Sequence, residues 1–406
     1  MKVRYKICSL LFALLCILGP NVLGAFGIAP LNFYAGVMAM CIPLTFINFR
    51  TYNKDVSFVW MFVFCELYGV FRMFWDQGEG ARYTSIVIMS TPLFLAAFPR
   101  DIKHIYGKDR YTPMWHTILR TFFVFFIIET VIASFEGVAG FNLFGMQVND
   151  IDNVSFRDAS EGFRSTSLHS HPLCNALIVS TSMAFIITSK LQLKRKMLLW
   201  FLGYFAILGF NTRGSIVGNA VFLLIYVLHS IRSKGIYTKK QKELLIRLFF
   251  LSIIVGLFLF FKLGLGSRLM SMGLYDEGSA SVRVDTWQIF NHFSLLDFLW
   301  GGNMVQIKNV LYTSGIDVTE NFLIDYLLSC GLVFLIFYLF FYVNFIRRLY
   351  RGYDKFTKFY TSAVFLLIAS TNNSLSTMSI ALFLYHILII LFNPKFFNDY
   401  LVWKNK

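Results

Sequence analysis

Runs of about 20 mostly apolar residues recur from one end of the chain to the other, and this repetition limits the fold more than any other feature. A bilayer core offers no water to peptide groups, so a run that spans it must be a helix with its hydrogen bonds closed internally. Twelve such runs can be placed, at 6–25, 31–49, 56–74, 83–99, 114–136, 172–189, 197–211, 214–230, 244–265, 321–346, 359–371 and 375–393. Among 406 residues 57% are hydrophobic and 15% charged, whereas a soluble domain carries about 25% charged residues. A soluble enzyme, a disulfide scaffold and a disordered chain are excluded. The expected fold class is all-α: a polytopic membrane helical bundle of about 12 transmembrane helices, one integral membrane domain over 1–406.

The segments between the runs orient the bundle. With the N-terminus inside, the inner segments are 1–5, 50–55, 100–113, 190–196, 231–243, 347–358 and the C-terminal tail. Assigning each basic residue to its nearer side puts about 28 of the 37 Lys and Arg residues inside, the sorting expected of cytoplasmic loops. The formal charge of +15 therefore reflects topology and carries no nucleic-acid meaning. Met1-Lys-Val-Arg-Tyr-Lys6 followed by an apolar run resembles a signal peptide, but Pro20 and Asn21 interrupt it and Leu23-Gly24-Ala25 makes a poor cleavage site. A retained first helix is expected. The six cysteines lie in apolar segments without a C-x-x-C pair and read as packing residues.

Two connections on the opposite side are long, 137–171 and 266–320, so any chemistry faces away from the cytoplasm. No ATP-binding motif occurs. The first long loop contains Glu161-Gly-Phe-Arg164-Ser-Thr-Ser-Leu-His169-Ser-His171-Pro172. A tight turn, Asn211-Thr212-Arg213-Gly214-Ser215, follows a run too short to cross about 30 Å of hydrocarbon at helical rise. Arg213 then either sits below the surface facing the protein interior, where a cation is costly to keep, or snorkels to the interface. The second long loop carries Arg268 and then Arg283, Val284, Trp287, Phe290 and Phe293, which read as an amphipathic helix at the interface. Arg283 at its start is either an anion contact or part of a solvated face. Glu320 opens the tenth run, where it could simply complement the helix dipole with Thr319 or Asn321 as cap.

Inside the runs, Glu66 and Glu129 should face the bundle interior, while Arg72 and Arg120 lie near helix ends and can snorkel. Asp325 is the remaining ionisable residue of note. His169-x-His171 has no third ligand of suitable type nearby and is not read as a metal site.

In order and placement, several of these elements resemble the O-antigen polymerase and O-antigen ligase superfamily of bacterial envelope polysaccharide assembly. The likeness covers about 110–346. It is carried by Phe163-Arg164-Ser-Thr-Ser-Leu-His-Ser-His-Pro172, Thr212-Arg213-Gly214, Ser281-Val-Arg283 with Trp287, and Glu320-Asn321-Phe322-Leu323 through Cys330-Gly331-Leu332. The resemblance implies a C-type glycosyltransferase-like bundle in the bacterial cytoplasmic membrane, with a metal-independent active site facing the periplasm or cell exterior and no cofactor. The donor would be an undecaprenyl-pyrophosphate-linked oligosaccharide. Arg213 and Arg283 would grip its pyrophosphate, with Arg164, Arg268, His171 and Asn321 as further substrate contacts. Glu320 would be the catalytic base. It stands where ligase-type members have His, which favours a polymerase joining repeat units. A chain-length regulator, a flippase and membrane lipid are the implied partners, and no nucleic acid. A ligase transferring glycan to lipid A core, and a flippase or other transporter, stay open as alternatives.

Overall fold

The computed structural model describes residues 2–52, 55–75, 79–99, 112–144, 163–169, 171–235, 237–267, 269, 286–316, 319 and 321–404. No strand occurs among them. The helices are α1 (Lys2–Ile17), α2 (Pro20–Ala25), α3 (Pro30–Tyr52), α4 (Val56–Trp75), α5 (Glu79–Ala97), α6 (Thr112–Ala139), α7 (Pro172–Thr188) and α8 (Leu193–Phe210). There follow α9 (Arg213–Arg232), α10 (Lys239–Leu263), a 3-10 helix (Thr286–His292), α11 (Leu295–Trp300) and α12 (Met304–Thr313). The chain ends with α13 (Phe322–Leu349), α14 (Lys355–Ala369), α15 (Ala381–Leu391) and α16 (Pro394–Lys404).

Six of these, in α3, α4, α6, α9, α10 and α13, are long and apolar enough to cross a membrane. The protein is an all-helical membrane protein. Helices also lie at the other expected spans, with altered limits. The first run breaks at Gly19-Pro20 into α1 and α2, and α15, in the last expected span, starts at Ala381 instead of 375. Proline at the first helical position explains the start of α2, because its missing N–H is one no helix would use.

The short helices are short for a reason. In α7, 15 of 17 residues are buried, so it is apolar on all sides because protein surrounds it. It packs against α8, α14 and α15 and forms the centre of the bundle. By contrast only 11% of the α10 span is buried, and that helix flanks α8 and α9 at the periphery. The six cysteines are buried free thiols. Glu129 is fully buried, while Glu66 is half-buried and lines a cavity of about 720 Å³ with Met38, Phe62 and Met89.

The described part of the second long loop is a small folded unit. Ile289, Ile307 and Ile316 pack on Ile324 and Leu328 of α13 as a cluster separate from the main core. Trp287 and Phe290, three residues apart, lie on a 3-10 helix, whose turn is three residues, and Phe293 follows its end. Ser294 and Asp297 then form a reciprocal capping box that starts α11.

This unit docks where α13 is broken. Gly331 has φ +81° and ψ 166°, so α13 is two helices meeting at a kink. The break frees carbonyls, and neighbours use them: Gly302 N–H donates to Leu328 O (2.8 Å) and the Tyr68 hydroxyl donates to Cys330 O (2.5 Å). Arg72 is fully buried and donates to Gly302 O at 3.2 Å. The expected snorkelling arginine is therefore a buried strut, because a loop carbonyl lies within its reach and makes burial affordable.

Candidate functional site

Elements separated by as many as 200 residues meet at one end of the bundle. The first is the segment 163–169, which is folded into the protein: Arg164 through His169 are all buried. A segment without regular structure survives there only if its peptide groups find partners. Glu136, buried on the last turns of α6, supplies most of them. Its Oε2 accepts from the Ser165 hydroxyl (2.6 Å), Ser167 N–H (2.9 Å) and Thr166 N–H (3.1 Å). Its Oε1 accepts from Leu143 N–H at 2.8 Å. From the other side, Asn21 donates to Ser167 O (2.8 Å) and Thr166 O (3.2 Å), and Asn175 of α7 also donates to Thr166 O. The Arg164 backbone is fixed from both sides.

The second element is the turn between α8 and α9. Glycines let α6 and α8 touch: a Cβ on Gly137 would lie 2.7 Å from Gly209 Cα, and one on Gly209 2.6 Å from Ala133 O. The closeness allows Ser165 N–H to donate to Gly209 O at 3.0 Å. Asn211 then takes a left-handed conformation (φ 53°), which Asn tolerates better than most residues, and ends α8. Its side-chain amide donates to Phe163 O and to Ser267 Oγ, both at 3.2 Å. One amide thus ties together the residue before Arg164, the turn that presents Arg213, and the residue before Arg268. Arg213 is half-buried at the first position of α9.

The third element joins the start of α13 to the connection 370–380. Asn321 caps α13 by accepting from Leu323 N–H (2.9 Å), as its sequence position suggests. Phe322 N–H donates to Asn372 O at 3.2 Å. Asp325 accepts from the Thr319 hydroxyl and, at 2.6 Å, from Ser376 Oγ. The Cys174 thiol of α7 lies 3.0 Å from Ser379 Oγ, which ties this connection to the helix that follows His171.

The histidines divide their roles. His171 caps α7, its Nδ1 accepting from Leu173 N–H at 3.3 Å, and burial with the adjacent Arg164 guanidinium holds its pKa down at about 3. Burial lowers His169 to about 4, partly opposed by its hydrogen bond to Cys16 O (3.0 Å). Both rings are neutral at pH 7, so neither adds a cation for a phosphate. Unfolded imidazoles titrate near 6.5, so between that value and the folded pKa the unfolded chain binds more protons. Their stabilisation is therefore complete above about pH 6.5 and falls as pH drops through about 4 and then 3, by about 2 kcal/mol per ring at pH 5. Thermal melting of purified protein between pH 7.5 and 5 should show a weaker acid loss in His169→Phe than in wild type. Parallel curves would refute the assignment.

Arg164, His171, Arg213 and Asn321 thus stand at the same end, and Arg164 and Arg213 are joined through Asn211. Glu320, Arg268 and Arg283 lie outside the described residues. Sequence reasoning missed Glu136 and the connection 370–380. For the latter a signal existed in the density of polar side chains, Ser370-Thr-Asn-Asn-Ser-Leu-Ser-Thr-Met-Ser379, between two apolar runs. No protein-family model matches the chain, and no curated protein matches it either.

Proposed function

We propose that the protein is a polysaccharide polymerase that joins undecaprenyl-pyrophosphate-linked oligosaccharide repeat units on the outer face of the bacterial cytoplasmic membrane. In this reading the bundle has twelve spans with both termini inside. The observation that carries it is the Asn211 amide, which gathers the neighbours of three arginines at one end of a membrane bundle. A lipid-linked pyrophosphate needs fixed cations where membrane meets water, and guanidinium forks match phosphate oxygens.

In the reaction an acceptor hydroxyl oxygen forms a bond to the donor's anomeric carbon while the bond from that carbon to pyrophosphate breaks. The electron pair leaves on pyrophosphate, and the hydroxyl proton passes to a carboxylate, for which Glu320 is the candidate. Arg213, with Arg164, Arg268 and Arg283, stabilises the charge that grows on the leaving group, so it lowers the barrier more than it tightens the ground state.

Deleting the gene and resolving the surface glycan on a gel tests this. A single repeat unit left on its acceptor supports a polymerase, loss of all glycan from lipid core indicates a ligase, and an unchanged ladder rejects both. In a polymerase, Arg213→Ala should slow polymer formation by about 30- to 1,000-fold, the worth of one lost leaving-group contact of about 2–4 kcal/mol. Arg213→Lys should rescue poorly, since an ammonium cannot form the paired contact.

A further inference from the structure

The cavity at Glu66 shares no residue with the site described above, and it follows from how three helices pack. α3 and α4 each lie along α5 but barely meet each other, which leaves a cleft between them, floored by Ile86, Met89 and Leu93 of α5. Ala35, Ala39, Ile42 and Phe46 of α3 and Met73 of α4 line it and are exposed, so it opens sideways through apolar residues. Both walls are helices long and apolar enough to cross a membrane, and such a mouth opens onto hydrocarbon. The volume of about 720 Å³ lies within the range of small-molecule sites, about 300–1,000 Å³.

Glu66 is the one ionisable residue lining this cleft among the described residues. It stands near the middle of α4, roughly 14 Å along the helix from either end. No hydrogen bond or ion pair reaches its carboxyl among the described residues. Oε1 is enclosed without a partner, and the carboxyl meets the cavity through the other oxygen. An acid kept unpaired at that depth is costly, and such a residue marks a functional site by default.

The occupant has to be apolar over most of its surface and polar at one point. A phospholipid acyl chain fills the cleft but brings no polar atom to that depth. A fatty acid or other anion is repelled by a carboxylate. An alcohol offers a single neutral hydrogen bond. An amine pairs with the carboxyl whichever of the two holds the proton, and as an ammonium it gains a charge-assisted bond. The rings of Phe46 and Phe62 in the same wall favour a cation further. We infer that the cleft between α3 and α4 binds a lipophilic amine that enters from the bilayer, its nitrogen donating to the Glu66 carboxyl. The site is independent of the polymerase reading, and its test leaves that reading untouched.

The test uses the full chain in phosphatidylcholine nanodiscs, with N,N-dimethyldodecylamine and dodecan-1-ol as probes and empty nanodiscs as background. The amine should bind saturably. Glu66→Gln keeps the shape and removes the acid, and should weaken the amine by about 10- to 100-fold, the worth of a hydrogen bond to a charged group. The same change should move dodecan-1-ol by no more than about 3-fold, since an amide still offers a donor and an acceptor. Wild-type protein gives a second measurement that needs no variant. Dicyclohexylcarbodiimide, a lipid-soluble reagent for carboxyl groups, should label Glu66, and the amine should block the labelling over its binding range. A tertiary amine is used because the activated carboxyl cannot acylate it to a stable amide. Absence of saturable amine binding, unchanged amine affinity in Glu66→Gln, or labelling that is absent or indifferent to the amine overturns the site. An equal loss of both probes in Glu66→Gln overturns the choice of an amine.

Discussion

Glu136→Ala should unfold the segment that carries Arg164. The substitution removes the acceptor of one hydroxyl and three backbone N–H groups, of which those of Ser165, Thr166 and Ser167 belong to buried residues. Stripping one partner from a buried charged network costs about 3–5 kcal/mol, because the groups left behind cannot recover their hydration. Thr166 N–H has a second acceptor in Asn142 Oδ1 at 3.2 Å, so it is partly protected, while Ser167 and Leu143 have no such reserve among the contacts described. Glu136→Gln is the sharper variant. It matches the shape but turns an amide NH₂ toward donors, so at least one hydrogen bond becomes a clash of like groups. Hydrogen exchange of the Thr166 and Ser167 amides in purified protein should rise sharply in both variants. Unchanged exchange in Glu136→Gln would mean that Asn21 and Asn175 hold the segment alone.

The way this network escaped the sequence is instructive. Glu136 sits at the end of an apolar run, where an acid is unremarkable, and its partners in the 163–169 segment lie 29 to 31 residues further on. No local pattern records such a pairing. Asn321 was legible because capping is local, a side chain meeting an amide two residues away. The turn that presents Arg213 was legible because the apolar run before it is short. Hydropathy located the helices but could not rank them, since lipid and protein both welcome an apolar surface. The central α7 and the peripheral α10 therefore read alike in sequence, although one is almost wholly buried and the other almost wholly not.

The break in α13 was hidden for a related reason, since one glycine within an apolar run leaves its hydropathy nearly unchanged. Gly331→Ala should expose that break as the anchor of the folded unit at 286–316. Two costs combine at this position. The backbone angles, φ +81° and ψ 166°, lie in a region open essentially to glycine alone, worth about 1–3 kcal/mol for any other residue. The new Cβ would also lie 2.4 Å from both Gly301 N and Leu299 O, which are backbone atoms with no side-chain freedom to yield. Relief requires the 299–302 turn to lift, and lifting it removes the Gly302 to Leu328 hydrogen bond and the carbonyl that receives Arg72. A buried guanidinium stripped of a partner adds its own penalty, so the sum should exceed about 3 kcal/mol. Gly264→Ala provides the comparison. Gly264 has φ +65° with nothing within 4 Å of a Cβ, so only the conformational cost of about 1 kcal/mol should apply. The discriminating measurement is hydrogen exchange across 286–316 together with thermal melting. Gly331→Ala should speed exchange throughout that unit and lower the melting temperature well below that of Gly264→Ala. Equal effects from the two substitutions would mean that the turn rides loosely on α13 and that the loop leading to Thr319 and Asn321 is positioned from elsewhere.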